Sequence, residues 1–221
     1  KVRGRKDLEN LSIPLIGEIP QYFNTKKKLG FSKKTQPDIK AIVVKEGSRD
    51  IINEAFRVLR TNMDFMTSNH KGCHRMMVTS FNPNAGKTFV IMNMAATMAL
   101  KGSKVLLMDL DLRKATLGKA LDHNKSGISA YLNGKVDSIV TEIQHLRDNL
   151  DLLSVGALPP NPAELLVSDR FARMIEDLSA RYDYIFMDCA PVDIVADTTI
   201  IAKYADFTVF IIRAGLFDKR S

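Results

Sequence analysis

Residues 76–88 read MMVTSFNPNAGKT, and this stretch constrains the fold of the chain more than any other. Its apolar start is typical of a buried strand, its middle of a tight loop, and Gly86-Lys87-Thr88 of a helix N-terminus. Backbone N–H groups at such a turn bind phosphate, the lysine reaches the phosphate oxygens, and the hydroxyl is placed for Mg²⁺. The match to G-x-x-x-x-G-K-[ST] is incomplete, because Phe81 occupies the first glycine position. The stretch predicts a phosphate-binding loop that needs support from the rest of the chain.

Apolar strand-like runs alternate with helical periodicity along most of the chain. Helices are predicted from apolar spacings of three and four, and buried strands from short continuous apolar runs. The alternation predicts an α/β fold with a doubly wound, mostly parallel sheet flanked by helices, as in P-loop NTPases. Glycines interrupt residues 114–148, which predicts loop and shorter helices there. The predicted helices cover 49–66, with Ser48 as N-cap, 86–100, 163–180 and 193–204, and the later strands cover 104–109, 149–156, 184–188 and 207–212.

Three predicted strands end in residues that suit a triphosphate bound with magnesium. Lys87 and Thr88 follow the strand that begins at residue 76. Asp109 ends a second strand, Asp111 lies two residues further on, and Asp188 ends a third. Because the carboxyl ends of parallel strands meet at one edge of the sheet, these side chains are expected to converge where such folds bind ligands. The convergence favours a site for ATP and Mg²⁺.

Each of these residue types has a defined use in phosphate chemistry. Thr88 and Asp188 suit the metal ion. One carboxylate of Asp109 and Asp111 can accept a proton from an attacking hydroxyl while the other supports the metal. Arg113 can neutralise charge on the transferring phosphoryl group, or it can pair with Asp111. The structural alternative is that these acids cap turns or helices. The predicted nucleotide-binding residues of the loop are Asn84, Ala85, Gly86, Lys87, Thr88 and Phe89.

Composition and charge limit the other classes of function. The 221 residues fit a domain over 41–221 preceded by a basic segment over 1–40. That segment favours attraction to an acidic membrane surface or nucleic acid, or else a solvated arm, and without interleaved aromatic residues nucleic-acid binding is not expected. No apolar run reaches the roughly 18–20 residues of a membrane span, so this piece is expected to be soluble. Cys73 and Cys189 show no metal-ligand spacing, which favours a reducing cytoplasmic setting.

The first predicted helix carries Glu54, Arg57 and Arg60 at spacings of three. Residues three apart on a helix are neighbours, so Glu54 and Arg57 are expected to form an ion pair. From the spacing alone, a solvated face with this ion pair is favoured over a surface that docks another subunit.

Several motifs together resemble those of bacterial protein-tyrosine kinases (BY-kinases), whose domain is a relative of the Min/Par-type P-loop ATPases. Residues 82–88 resemble the Walker A motif, 106–113 the Walker A′ motif and 185–191 the Walker B motif. The A′ motif, an apolar run followed by Asp-x-Asp-x-Arg, is the most specific of the three. Residues 54–60 resemble the family's E-x-x-R-x-x-R motif for self-association into a ring, which reverses the preference for a solvated face. Residues 16–20 resemble the segment after the second membrane span of single-chain members, so the resemblance covers the whole chain.

The resemblance implies an ATP-dependent protein-tyrosine autokinase. Lys87 and Thr88 would bind the ATP phosphates and Mg²⁺. Asp109 and Asp111 would supply the catalytic base and support for the metal, and Asp188 would order the metal shell. The acceptor would be a tyrosine on the C-terminal tail of a neighbouring subunit in a homo-oligomer. The resemblance further implies the cytoplasmic face of the bacterial plasma membrane, a membrane-spanning region in the same or a partner chain, and control of capsular or extracellular polysaccharide synthesis and export.

The chain also departs from the family. No tyrosine follows Tyr204, so the tyrosine-rich tail is absent, and the chain starts without Met, as an excised or tag-cleaved piece would. Asn84 replaces a usual glycine of the loop, which is tolerable because Asn accepts left-handed backbone geometry better than most residues. Asn82 stands where Min/Par ATPases carry a lysine, which favours a kinase over a positioning ATPase.

Two other functions stay open. One is a Min/Par-like ATPase that positions cargo on a membrane or DNA, and the other is an ATP-gated assembly module whose ring, rather than its chemistry, regulates export. The role of Arg213, near the end of the last strand, is open between contact with the nucleotide and contact with a neighbouring subunit.

Overall fold

The computed structural model describes residues 2, 4–8, 12–22, 42–121, 126–192 and 197–216. The strands in these residues are β1 (His74–Ser80), β2 (Val105–Asp109), β3 (Gln144–Arg147), β4 (Leu150–Leu153), β5 (Tyr184–Asp188) and β6 (Phe207–Ile211). The helices are α1 (Ile51–Thr67), α2 (Lys87–Leu100), α3 (Thr116–Ala120), α4 (Gly127–Leu132), α5 (Pro162–Leu166), α6 (Asp169–Ser179) and α7 (Asp197–Ala202). Short 3₁₀ turns cover Arg5–Asp7 and Ile139–Glu142.

The strands form one sheet in the order β3-β4-β2-β5-β1-β6. Every pairing is parallel except that of β3 with β4, which is antiparallel at one edge. The predicted doubly wound, mostly parallel α/β fold is therefore confirmed. Its three central strands are β2, β5 and β1, and their carboxyl ends lie side by side.

Both faces of the sheet are buried, which explains why its strands read as continuous apolar runs. Along β1, Met76 and Val78 pack into one apolar cluster and Met77 packs into the other. α1 contributes Phe56 to the first cluster, and α6 contributes Phe171 to the second. Burying a side chain of this size stabilises the fold by about 1.5–3 kcal/mol, so the two clusters hold the central strands in a rigid layer.

α2 is buried along most of its length, since every residue from Val90 to Ala99 is buried. The polar Asn93 within this stretch uses its side chain to hold another segment. Its Oδ1 accepts hydrogen bonds from the backbone N–H groups of Val43, at 2.7 Å, and Val44, at 3.2 Å. The chain that leads into α1 is thereby fixed to the helix that begins at the predicted phosphate-binding loop.

The N-cap of α1 is Asp50, and the prediction of Ser48 is wrong. The Asp50 side chain accepts a hydrogen bond from the Asn53 backbone N–H at 3.0 Å. Ser48 instead donates its hydroxyl to Asp50 Oδ2 at 2.6 Å. Hydrogen bonds from Ser48 and Asn53 lower the pKa of Asp50 to about 2. A charged carboxylate suits a helix N-terminus better than a neutral hydroxyl, because its negative charge also interacts favourably with the positive end of the helix dipole.

Two further predictions of local structure are corrected. The helix predicted over 163–180 is divided into α5 and α6, because the Ser168 side chain accepts from the Phe171 N–H and begins a new helix. Strand β3 lies where only loop and short helices were predicted. It is a four-residue edge strand whose side chains are only partly buried, so it lacks the apolar run of a central strand.

Part of the N-terminal segment packs on the domain. Ile16 and Ile19 are half-buried against the apolar cluster beneath α1. The Asn62 side chain donates a hydrogen bond to the Ile16 carbonyl at 2.8 Å. Gly17 lies so close to Leu59 that an added Cβ would be 2.9 Å from its Cδ1. The segment over 12–22 therefore runs directly across α1.

Some sequence features lie outside the described residues. These are the lysines at 26–28 and 33–34, and the first part of the helix predicted over 193–204, of which α7 is the described portion. Within the described ranges, none of the helices combines the length and apolarity that a membrane crossing requires.

Asp206 joins the start of β6 to β1, and its loss is expected to destabilise the protein. Its carboxylate accepts hydrogen bonds from the Arg75 backbone N–H, Nε and Nη2 at 2.9, 3.0 and 2.6 Å. Burial raises the pKa of Asp206, but the Arg75 hydrogen bonds outweigh burial and leave that pKa below its ordinary value. In urea denaturation near pH 7, Asp206→Asn should lower the free energy of unfolding by about 2 kcal/mol.

The sign of the pKa shift sets the pH dependence of this effect. A depressed carboxyl pKa gives stability that is present above the ordinary pKa and is lost as the pH falls through the folded pKa. The difference between wild type and Asp206→Asn should therefore shrink below about pH 4. Asp148→Asn, at an exposed loop position, is the matched control. A difference that stayed constant to strongly acidic pH would contradict the assignment.

Candidate active site

The carboxyl ends of β1, β5 and β2 bring the predicted site residues together. β5 pairs with β2 in a register that sets Asp109 beside Asp188, and with β1 in a register that sets Val78 beside Asp188. Lys87 is the first residue of α2, which follows β1 through the loop over 81–86. One edge of the sheet thus carries the loop and both strand-end carboxylates.

The loop has the backbone conformation that its sequence suggests. Asn84 has φ 60° and Gly86 has φ 98°, so both are left-handed. The expectation that Asn84 can replace glycine in such a conformation is confirmed. The Ser80 hydroxyl donates to the Asn82 carbonyl at 2.7 Å, which holds the start of the loop against the end of β1.

Thr88 and Asp188 form a pair of oxygen donors at the base of the site. Thr88 Oγ1 donates to Asp188 Oδ2 at 3.1 Å. Asp188 is 1% exposed, and no described residue makes a hydrogen bond to its Oδ1. Burial raises the pKa of Asp188 to about 6, although the charge of Lys87 and the Thr88 hydrogen bond act to lower it. A buried carboxylate oxygen without a partner, beside a hydroxyl, fits the oxygen ligands that Mg²⁺ prefers.

The described residues contain no cluster of three or more His, Cys, Asp and Glu side chains that could hold a metal by themselves. The oxygen pair of Thr88 and Asp188 is a donor set that Mg²⁺ can take from a protein when substrate phosphates and water supply its other ligands.

Asp109 is buried and engaged with the backbone that follows it. Its Oδ2 accepts hydrogen bonds from the N–H groups of Leu117 and Gly118, both at 3.0 Å. Its Oδ1 accepts a longer bond from the Asp111 N–H at 3.3 Å. Burial and the charge of Asp188 raise its pKa well above the ordinary value. The carboxylate caps the turn into α3, which was the structural alternative for this residue, and it lies beside Asp188 at the same time.

Asp111 is placed differently, because it lines an open cleft. The cleft has a volume of about 920 Å³ and is also lined by Lys87, Thr88 and Lys114. Asp111 Oδ1 accepts hydrogen bonds from the backbone N–H groups of Arg113, at 3.3 Å, and Lys114, at 3.1 Å. The two carboxylates of the Asp-x-Asp sequence therefore differ in their access to the cleft.

Arg113 pairs with a residue that sequence reasoning missed. Its Nε and Nη2 donate to the two carboxylate oxygens of Asp197 at 2.8 and 3.1 Å. Of the two alternatives for Arg113, side-chain pairing with Asp111 is not the arrangement found. The Asp197 hydrogen bond raises the pKa of Arg113. The two residues are 84 apart in the chain, so no local pattern could have indicated the pair.

The N-terminal segment and the chain after β6, neither of which was assigned to the site from sequence, also line the cleft. Tyr22 stacks on Phe89 with ring centroids 5.9 Å apart, which places the N-terminal segment at the first turn of α2. Arg213, after β6, donates to the Asn84 carbonyl at 3.0 Å. The candidate nucleotide-binding residue Phe89 therefore contacts a protein ring at this position.

The charged motif of α1 lies apart from the cleft. Glu54 and Arg57 form the predicted ion pair. Arg57 also donates to the Ser48 carbonyl at 2.5 Å. No described residue makes a hydrogen bond to the buried Nε of Arg60. Arg57 and Arg60 line a small cavity of about 130 Å³ together with Lys45.

The chain is similar to known proteins in sequence and in fold. Residues 76–217 match the AAA domain family. A putative tyrosine-protein kinase in the cps region of Klebsiella pneumoniae is 34% identical over 214 residues, which cover 94% of this chain and 29% of that protein. Tyrosine-protein kinase YwqD of Bacillus subtilis is 35% identical over 173 residues, or 77% of this chain and 72% of that protein. The solved kinase domain of Escherichia coli tyrosine kinase Etk has a TM-score of 0.86 and 29% identity, and the match covers 100% of this chain and 86% of that one.

The fold and the matched family model define a P-loop domain of the AAA type. The chain belongs to the family of bacterial tyrosine-protein kinases, as its motifs suggested. It spans less than a third of the length of the Klebsiella relative.

The buried charge of Asp188 predicts a stability difference in the protein free of nucleotide and metal. A carboxyl pKa of about 6 means that ionisation costs folding energy at neutral pH. With a chelator near pH 7, Asp188→Asn should raise the free energy of unfolding by about 1–3 kcal/mol. The gain should vanish as the pH falls from about 6 to about 4, because the carboxyl then protonates in the folded state.

The same variant should lose Mg²⁺-dependent nucleotide binding, measured by calorimetry. Asp177→Asn, exposed on α6, is the control for removing one carboxylate. If Asp188→Asn unfolded more easily than wild type near pH 7, the site would not hold the unfavourable charge assigned to it.

Proposed function

We propose that the chain is the ATP-dependent kinase domain of a protein-tyrosine autokinase. The observation that carries the proposal is the Thr88–Asp188 pair, with its buried unpartnered oxygen, next to Asp109 and the phosphate-binding loop. The kinase names of its relatives support phosphoryl transfer over the positioning ATPase or the non-catalytic assembly module.

The nucleotide would be held at the start of α2. Backbone N–H groups over 84–89 and the N-terminal end of the helix suit the phosphate oxygens. Lys87 adds a positive charge there, and Thr88 and Asp188 would hold the metal, with Asp109 behind them. Bound Mg²⁺ would supply charge neutralisation for the phosphates.

The two acids of the A′ motif would divide the remaining work. Asp111 lines the cleft, so it is suited to accept the proton of an attacking hydroxyl. Asp109, fixed by backbone N–H groups, would support the metal and hold the turn that carries Asp111. Arg113 would counter negative charge at the cleft, with its guanidinium oriented by Asp197.

Four of the five tyrosines of the chain are buried or packed into its structure, which supports an acceptor elsewhere. Tyr131 and Tyr184 are each 7% exposed. Tyr182 donates its hydroxyl to Asp151 at 2.7 Å, and Tyr204 packs edge-on against Phe171. We infer an acceptor tyrosine on the C-terminal tail of a neighbouring subunit.

A homo-oligomeric ring through α1 is part of the proposal. Beside Glu54 and Arg57, the helix exposes Ile51, Val58 and Phe65, with 79%, 55% and 82% of their surface accessible. A spacing of seven puts these three side chains in one stripe. Exposed apolar residues in such a row support an interaction surface on this face of the helix.

The cellular setting that the motif resemblance implies is also part of the proposal. We propose the cytoplasmic face of the bacterial plasma membrane, with a membrane-spanning region in the same or a partner chain. The cps region named for the Klebsiella relative supports a role in capsular or extracellular polysaccharide synthesis and export. Nucleic acid is not expected as a partner.

Loss of the loop lysine should abolish the proposed reaction. The chain, or the longer protein that carries its tail, is incubated with MgATP and a tyrosine acceptor, and phosphotyrosine is measured by mass spectrometry. Lys87→Met should lower kcat/KM by at least about 100-fold, because the developing charge on the phosphoryl group loses a fixed cation. Lys71→Met, at an exposed position, is the matched control.

The outcome distinguishes the functions. ATP hydrolysis without phosphotyrosine in wild type would favour a positioning ATPase. Full phosphotransfer by Lys87→Met would show that the site is assigned wrongly.

The apolar stripe gives a separate prediction for assembly. Val58→Ser combined with Phe65→Ser should weaken self-association by at least about tenfold, because less apolar surface is removed from water. Light scattering over a concentration series measures the change, and Arg57→Ala with Arg60→Ala should act in the same direction. Val167→Ser, which changes a residue 63% exposed on another part of the surface, is the control. An unchanged mass distribution in the α1 variants would contradict the proposed interface.

A further inference from the structure

Arg213 reaches from the end of the sheet to the phosphate-binding loop. It lies two residues beyond Ile211, the last residue of β6. Its Nη1 donates a hydrogen bond to the Asn84 carbonyl oxygen at 3.0 Å. Its position depends on the sheet, since β6 pairs with β1 in a register that sets Ile211 beside Ser80. The chain after β6 therefore runs alongside the loop that follows β1.

Asn84, whose carbonyl receives this hydrogen bond, is a non-glycine residue with a left-handed backbone. Asn84 has φ 60°, in the left-handed region, where a residue with a Cβ is held at some conformational cost. Gly86 is also left-handed but has no such cost. An external contact at Asn84 therefore stabilises the conformation that the side chain disfavours.

Hydrogen bonds from two side chains hold carbonyl groups of this loop. The Ser80 hydroxyl, at the end of β1, donates to the Asn82 carbonyl at 2.7 Å. Arg213, beyond the end of β6, donates to the Asn84 carbonyl. The backbone of Arg213 is itself held in a turn, because its carbonyl accepts from the Leu216 N–H at 3.2 Å and Gly215 N–H donates to the Val2 carbonyl at 2.8 Å.

We propose that Arg213 is a positioning residue that keeps the phosphate-binding loop in its binding conformation through the Asn84 carbonyl. The proposal rests on the proposed nucleotide-binding function and adds a residue to it. A loop already held in the bound conformation spends less of the binding free energy on ordering. Arg213, beyond the end of β6, thereby influences nucleotide affinity without contacting the phosphates.

A double-mutant cycle separates this role from direct contact with the nucleotide. Arg213→Gln is compared with wild type, and the same change is made in an Asn84→Gly background. MgADP affinity is measured by calorimetry for all four proteins. Arg213→Gln should raise Kd about fivefold when Asn84 is present, as expected for loss of one hydrogen bond. In the Asn84→Gly background the increase should be at most about twofold, because glycine adopts left-handed geometry without help.

Hydrogen exchange of the nucleotide-free proteins gives a readout that does not depend on binding. Arg213→Gln should speed exchange of the amides of Asn82 and residues 84–86 by about fivefold relative to wild type, since local opening becomes easier. Arg173→Gln removes one positive charge from an exposed position on α6 and should change neither Kd nor exchange.

The outcomes are distinguishable. Equal losses of affinity in both backgrounds would overturn the proposal and make Arg213 a direct or purely electrostatic nucleotide contact. Unchanged affinity and unchanged loop exchange would also overturn it. If wild type bound no MgADP, the proposed function would fail, and the exchange rates alone would then decide whether Arg213 holds the loop.

Discussion

β5 pairs in parallel with β1 on one side and with β2 on the other, and this pairing places the buried carboxylate of Asp188 at the centre of the site. Neighbouring groups offset part of the cost of burying it. Burial makes ionisation of Asp188 unfavourable, and the charge of Asp188 adds to the burial that disfavours ionisation of Asp109. Lys87, the Thr88 hydroxyl and the backbone N–H groups of Leu117 and Gly118 offset part of that cost. A cation bound beside Asp188 would offset more. The electrostatics of this sheet edge therefore favour a bound cation.

The rigidity of this edge originates in the core. α2 begins with Lys87 and is buried over the following turns, so the loop lysine and Thr88 start from a helix that cannot shift without disturbing both α1 and the sheet. Asn93 extends the same support to the chain before α1. The hydrogen bonds that hold the loop include one from Ser80, at the end of β1, and one from Arg213, beyond β6. If the loop binds a nucleotide as proposed, changes at Ser80 or Arg213 would alter the loop while the buried helix behind it stays in place.

The central part of the fold could be predicted from sequence because its signals are local. Long apolar runs indicated β2 and β5, and the rule that ligands bind beyond the carboxyl ends of parallel strands grouped their carboxylates before any strand order was known. The elements that were missed lack such signals. β3 is a short edge strand, and the division between α5 and α6 depends on one capping serine. The contacts of Arg113 with Asp197 and of Arg213 with Asn84 join distant residues, so only the tertiary structure reveals them.

The Asp-x-Asp sequence shows why capping and chemistry are not exclusive alternatives for a carboxylate. An ionised carboxylate has about four acceptor positions on its two oxygens. Asp109 uses both oxygens for backbone N–H groups, which fixes the turn and leaves little capacity for proton transfer. Asp111 accepts both of its backbone bonds on Oδ1 and lines the cleft, which is why we propose it, rather than Asp109, as the acceptor of a substrate proton. In the proposed site the first acid of the pair would hold the turn from which the second one meets the substrate.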